Sequence, residues 1–266
     1  MLKEAVEYYH NLLEDPDLAE SSRQMLDEKL DEARLIFGGR RLCPYLRPHF
    51  VLESDWKRVT AICETIFAAL QKVKDAAVGN DELLDELGVH GFERELVSID
   101  QKYKQISPTA RLDSFLTDDA YSFVELNGES PAGIAFSDSA SKIFLDLPIV
   151  KKFGEKYEFR TLEGSSKMLT TLLKAHEEFL GNKPEKPPTI AIIDLKDLPT
   201  IKEFELFRDY FIAEGYPSII CTPEDVEFSD GKLRCGETEI DIIYKRLLIN
   251  EYLTIIEKYT AILDAY

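Results

Sequence analysis

The chain has 266 residues and a formal net charge of -18, from 50 Asp plus Glu set against 32 Lys plus Arg. So acidic a field repels phosphate backbones and anionic lipid, which excludes a general nucleic-acid or membrane-surface role unless a local basic patch opposes it. The densest basic spots are only Arg40-Arg41 with Arg47, and Lys151-Lys152, while 44% hydrophobic residues with 15 Phe and 12 Tyr exclude a disordered chain.

The opening segment, MLKEAVEYYHNLLEDPD, reads as an acidic helix without the apolar core of a signal peptide. No stretch approaches the roughly 18 uncharged apolar residues of a membrane span, so a cytoplasmic protein is expected. Residues 1 to 105 read mainly as helix. Leu26, Leu30, Ala33 and Phe37 make one apolar stripe, which Gly38-Gly39 ends. Asp55 is placed to cap a second helix, whose face carries Val59, Ile62, Cys63, Ile66 and Leu70. A helix must bury one face, so these stripes read as core.

The pattern changes near Pro108. RLDSFL and YSFVELN are short, alternating and rich in aromatic and branched residues, and Thr117-Asp118-Asp119-Ala120 connects them as a hairpin. Residues 141 to 150 form an apolar run that suits strand or helix alike. Glu163 to Leu180 is helical, and GNKPEKPP at 181 to 188 is the clearest linker.

Beyond the linker, TIAIID is a near-continuous apolar run of the kind buried in a parallel sheet. A helix follows from about Ile201 to Glu214, ended by Gly215. SIICT, a hairpin in VEFSDGKLRC turning at Asp230-Gly231, and IDIIYKR with a terminal helix complete the chain. The fold class expected is α/β, or α+β overall. A helix-rich part with a β-hairpin sheet, residues 1 to 180, is followed by a small doubly wound α/β domain, residues 187 to 266.

Neither G-x-G-x-x-G nor G-x-x-x-x-G-K-[ST] is present, so any nucleotide is held in another way. Cys43, Cys63, Cys221 and Cys235 form no C-x-x-C pair and are expected to be reduced, mostly buried thiols. The four histidines are equally dispersed.

Alternation puts Arg111, Asp113 and Phe115 on one strand face, and Phe123, Glu125 and Asn127 on one face of the neighbouring strand. If the two faces coincide, a carboxylate beside an amide oxygen offers hard ligands to Mg²⁺, and Arg111 offers a planar fork to a carboxylate or phosphate. The same pattern also describes a plain solvated hairpin. The turn-rich loop Asn127-Gly128-Glu129-Ser130-Pro131-Ala132-Gly133 follows directly and can present backbone amides. In the α/β part, Asp194, Thr222 and Arg246 fall at the carboxyl ends of strands, where open sheets bind ligands. For Arg246 the alternative is an arginine paired with a surface acid.

R-x-D-x-F-L followed by F-V-E-L-N-G-E-S-P-A-G resembles the core motif of circularly permuted ATP-grasp proteins, the glutathionylspermidine synthase-like group, more remotely eukaryotic glutathione synthetase. Residues 189 to 250, with K-E-F-E-L-F and I-D-I-I-Y-K-R, are similar to that family's substrate-binding, pre-ATP-grasp domain. The resemblance implies Mg²⁺ and ATP as cofactors, with Glu125 and Asn127 as metal ligands bridging the phosphates. It implies Arg111 at the substrate carboxylate or acyl phosphate with Asp113 orienting it, and Ser130, Glu203 and Arg246 as substrate contacts. The function implied is the amino-terminal portion of an ATP-dependent carboxylate-amine ligase acting on small-molecule acid and amine substrates. In that family a carboxyl-terminal ATP-grasp segment follows, with adenine-binding lysines, a glycine-rich lid and a further metal-binding carboxylate, so this stretch alone is expected to lack turnover. The alternative is a stand-alone small-molecule binding or regulatory module without catalysis.

Overall fold

The computed structural model describes residues 1–105, 107–117 and 120–266. Helix α1 (Leu2–Leu13) is followed by α2 (Pro16–Glu32), which starts where the Asp15 carboxylate accepts the backbone N–H groups of Asp17 and Leu18 at 3.1 Å, with Pro16 in the first turn. Leu26 and Leu30 are buried as expected, but the helix stops at Glu32. Arg34 turns into the left-handed region, and Ile36-Phe37 (β1) pairs with Arg40-Arg41 (β2) across Gly38-Gly39, both at positive φ. Phe37 therefore lies in a miniature hairpin and is exposed; the two glycines make a turn where a helix end was expected.

Helix α3 (Glu53–Ala77) begins after Leu52, which places Asp55 inside the first turn and not at the cap. There it favours the helix dipole and faces Arg58 at 3.8 Å. Two short helices, α4 (Asp81–Glu86) and α5 (Gly91–Val97), precede the antiparallel pair β3 (Arg111–Leu116) and β4 (Tyr121–Asn127). Asp118 and Asp119 of the connection lie outside the described residues. The apolar run at 141 to 150 is helical, shared by α6 (Ile134–Asp146) and α7 (Pro148–Gly154) with the break at Leu147-Pro148. Helix α8 (Gly164–Leu180) is opened by Asp138, whose two carboxylate oxygens accept from the N–H groups of Gly164 (2.9 Å) and Ser165 (2.6 Å).

The last third contains β5 (Ile190–Ile193), α9 (Ile201–Ala213), β6 (Ser218–Cys221), the meander β7 (Val226–Ser229), β8 (Lys232–Cys235) and β9 (Thr238–Ile240), then β10 (Ile242–Lys245). The meander turns at Asp230-Gly231, both at positive φ. Two short helices, α10 (Ile249–Leu253) and α11 (Ala261–Ala265), stand where one terminal helix was expected. Strands β10, β5 and β6 form a parallel sheet in that order, and every residue of the central β5 is fully buried. The fold is thus mixed α/β and helix-rich, with small sheets.

Internal packing divides the chain into two units. The first comprises Met1–Val51, Ser130–Thr170 and Glu185–Tyr266; the second comprises Leu52–Glu129 and Thr171–Pro184. The return at Pro184/Glu185 falls inside the linker read from the sequence. The first unit has an aromatic and aliphatic core between α1, α2, α6 and α7, with Tyr9, Leu26, Leu30, Leu147, Ile149 and Phe153 at its centre. It has another between the parallel sheet and the meander, around Ala191, Ile193, Cys221 and Leu247. In the second unit the α3 stripe is half-buried, and Cys63 approaches the Tyr121 hydroxyl at 3.9 Å.

All four cysteines are free thiols. Only Cys221 is buried; Cys43 is exposed and the other two are partly open, which corrects the expectation of mostly buried thiols. No helix among the described residues is long and apolar enough to cross a membrane.

Candidate functional site

The hairpin register brings the four expected polar groups together. Arg111 stands opposite Asn127 and Asp113 opposite Glu125, so all four share one face of the two-stranded sheet. The Arg111 Nε–H donates to Asp113 at 2.8 Å, and the Asn127 amide donates to Glu125 at 3.0 Å. Phe123 does not share this face. The register passes from Asp113↔Glu125 to Ser114↔Phe123, which leaves Val124 unopposed as a β-bulge and turns Phe123 over. It packs edge-on against Tyr121, with ring centroids 4.8 Å apart, and the Tyr121 hydroxyl accepts from Ser114 at 2.7 Å. A one-residue bulge is invisible to simple alternation, which is why the sequence placed Phe123 wrongly.

The donor set on this face is oxygen only: two carboxylates and an amide. Such hard ligands suit Mg²⁺, which keeps several waters and takes phosphate oxygens. Among the described residues no group of three or more His, Cys, Asp or Glu forms a ready-made cage. A cation held here would fill its remaining positions with water and ligand oxygens, as Mg²⁺ does at nucleotide sites, so the residues fit that ion. Arg111 and Asp113 are both partly exposed, at 45% and 39% of the side chain, so their pairing orients the guanidinium more than it stabilises the fold.

Ser130, Glu203 and Arg246 belong to the other unit, and there they meet. Arg246 follows β10 and Glu203 lies in the first turn of α9. Their side chains are 3% and 0% exposed, with Arg246 to Glu203 at 3.5 Å. The guanidinium also donates to the Pro131 carbonyl (2.8 Å) and the Tyr244 hydroxyl (2.9 Å), and lies over the rings of Phe204 and Tyr244. Glu203 accepts the backbone N–H groups of Gly133 (2.7 Å) and Ala135 (3.2 Å) at the start of α6. Ser130, at φ +47°, donates its hydroxyl to the Lys245 carbonyl. The arginine thus has a buried acid for a partner, not the surface acid of the alternative reading, and together these bonds clamp the loop 130–135 onto the carboxyl end of β10.

Burial pushes the Glu203 carboxyl above its ordinary range, while Arg246 and the three backbone amides of residues 133 to 135 oppose that shift. Asp194, just beyond the carboxyl end of β5, is likewise raised by burial, with the Leu195 amide and Arg246 opposing. Thr222 is engaged locally, its N–H and hydroxyl both donating to Asp225 at 2.9 and 2.6 Å. Tyr244 and Lys245 carry part of the clamp and were not singled out from the sequence. Their alternation with Ile243 in I-D-I-I-Y-K-R marks Tyr244 and Arg246 as one face, which was the available signal.

No protein-family model matches the chain, and no curated protein matches it.

Proposed function

We propose that this chain supplies the cation-binding hairpin and the substrate-binding α/β domain of an ATP-dependent carboxylate-amine ligase of the circularly permuted ATP-grasp type, one that activates a small acid as its acyl phosphate. The observation that carries the reading is the hairpin register, which sets Asp113 against Glu125 and Arg111 against Asn127 on one face. Mg²⁺, when bound with ATP, neutralises charge on the phosphate oxygens. Glu125 and Asn127 hold it in this reading. Arg111, its fork fixed by Asp113, grips the acid or its phosphorylated form. Ser130, Glu203 and Arg246 serve by fixing the loop 130–135 on the substrate domain.

Calorimetric titration of ATP with and without Mg²⁺ into the wild-type chain and Glu125→Ala tests this. Mg²⁺-dependent binding is expected, weakened at least about tenfold by the substitution. Equal affinity with and without Mg²⁺, or in the variant, refutes it. A second reading, a small-molecule binding or regulatory module without catalysis, is favoured by Asp194, a buried carboxyl whose position calls for a ligand but not for a nucleotide. Ligand binding by a chain that ignores Mg²⁺ and ATP would select it.

A further inference from the structure

We propose that Asp194 is a recognition site for a primary ammonium group, the amine-bearing end of a small ligand docked at the carboxyl edge of the parallel sheet. The strand order places it there. From β5 the chain crosses to β6 on one side, and later returns to β10 on the other, so the carboxyl end of β5 is the point where connections diverge. Open α/β sheets leave a crevice at that point. The backbone N–H of Asp194 extends the ladder to the Cys221 carbonyl at 3.3 Å, which continues the alternation of Ile190 and Ile192 and puts its side chain on the face shared with Tyr244 and Arg246.

The residue is 7% exposed, yet its carboxylate accepts a single hydrogen bond among the described residues, from the Leu195 N–H at 2.8 Å. It forms no ion pair with them. Its other oxygen has no hydrogen bond among the described residues and is not sealed from solvent, so a ligand can reach it. The two cations near it are already engaged: Arg246 with Glu203, Pro131 and Tyr244, and Lys245 with the Leu247 carbonyl at 2.6 Å. Glu251, the remaining charged group acting on it, adds negative charge and caps α10 through the Leu248 N–H. Glu203 is paired with Arg246 and Glu251 accepts at the start of α10, so among the described residues Asp194 is the one of these three acids with neither a cation nor a helix end as partner.

A monocation with hydrogen-bond donors is such a partner, and an ammonium group supplies a point charge with three donors. A bare metal ion is less suited, since among the described residues no group of three or more His, Cys, Asp or Glu is assembled around Asp194. Within the ligase reading, on which only this last step rests, the ammonium belongs to the amine substrate. The charge and pairing argument stands without it.

Calorimetry or NMR titration of the intact chain, without nucleotide or Mg²⁺, decides the matter. The probes are 1,4-diaminobutane, ethanolamine and glycinamide, each with its N-acetylated counterpart, which keeps the shape and removes the charge. Saturable binding of at least one amine is expected, at least about tenfold weaker after N-acetylation and in Asp194→Asn, whose amide oxygen still accepts from Leu195. Absence of binding by all three amines, equal binding of the acetylated forms, or unchanged affinity in Asp194→Asn overturns the proposal. The comparison of amine with acetylated amine uses wild-type protein and so survives any folding defect in the variant. Because nucleotide is omitted, failure here leaves the Mg²⁺-dependent ATP test intact, and the reverse holds as well.

Discussion

Replacing Arg246 by Met keeps most of the side-chain bulk and removes the charge. In the native structure the guanidinium is the only cation within ion-pairing distance of Glu203 among the described residues, and it also satisfies the Pro131 carbonyl and the Tyr244 hydroxyl. Deleting one partner of a buried pair strands the other, at a cost of about 3–5 kcal/mol. The two amides from Gly133 and Ala135 stay on Glu203 and limit the loss, so the lower end of that range is expected. Glu203 titrates above its ordinary 4.5 because of burial, so its contribution is fully present below 4.5 and is lost as pH rises through the folded value. Without Arg246 that folded value moves higher still, and the penalty of the substitution grows as pH rises from 4.5 towards neutrality. The double variant Glu203→Gln/Arg246→Met retains an amide oxygen for the two N–H groups and leaves neither member of the pair charged. It should therefore be more stable at neutral pH than Arg246→Met alone, with a coupling of about 1 kcal/mol or more. Urea unfolding followed by circular dichroism measures all three. A loss under about 1 kcal/mol in Arg246→Met, a penalty independent of pH, or simple additivity in the double variant would refute this account of the clamp.

Asp138→Ala removes the side chain that accepts the first two N–H groups of α8, and about 1 kcal/mol of stability should go with it by the same assay. Gly164→Ala would place a methyl 2.8 Å from the Cγ2 of Ile134, a stiff β-branched group, so a loss of about 1–3 kcal/mol is expected; an unchanged urea midpoint would show that α6 and α8 can part at no cost. Burial and the neighbouring Cys235 push the Cys221 thiol up to about 12, whereas Cys43 is exposed. Iodoacetamide at mildly alkaline pH followed by peptide mass spectrometry should therefore label Cys43 first and Cys221 only after unfolding, and early labelling of Cys221 would contradict its burial.

Much of the local structure was decided by the order of residues. TIAIID reads as a buried parallel strand because an uninterrupted apolar run has no polar face to show water, and β5 is that strand. Asp230-Gly231 fixes a hairpin because both positions need positive φ, and the hairpin is there. Alternation put Arg111 with Asp113, and Glu125 with Asn127, on their strand faces, and the hairpin register then set the two pairs on one face. Readings stayed open or failed where a choice depended on contacts distant in sequence. The run at 141 to 150 became helical because Ile143, Leu147, Ile149 and Val150 are buried against α1 and α2, far away along the chain. Phe37 left its stripe because Gly38-Gly39 turns a hairpin back onto Asp27 and Asp31 through Arg41.

The sequence alone determined which segments are apolar, where the chain turns and which polar residues share a strand face, because these depend on periodicities of two and 3.6 residues. Tertiary structure alone decided that Arg246 is matched by Glu203, 43 residues earlier, that Val124 bulges and carries Phe123 to the opposite face, and that the Asp194 carboxylate is buried with one hydrogen bond among the described residues. Each depends on which groups lose water together when distant segments pack, and desolvation, which sets the cost of a buried charge, is a property of the assembled neighbourhood and not of any one stretch of chain.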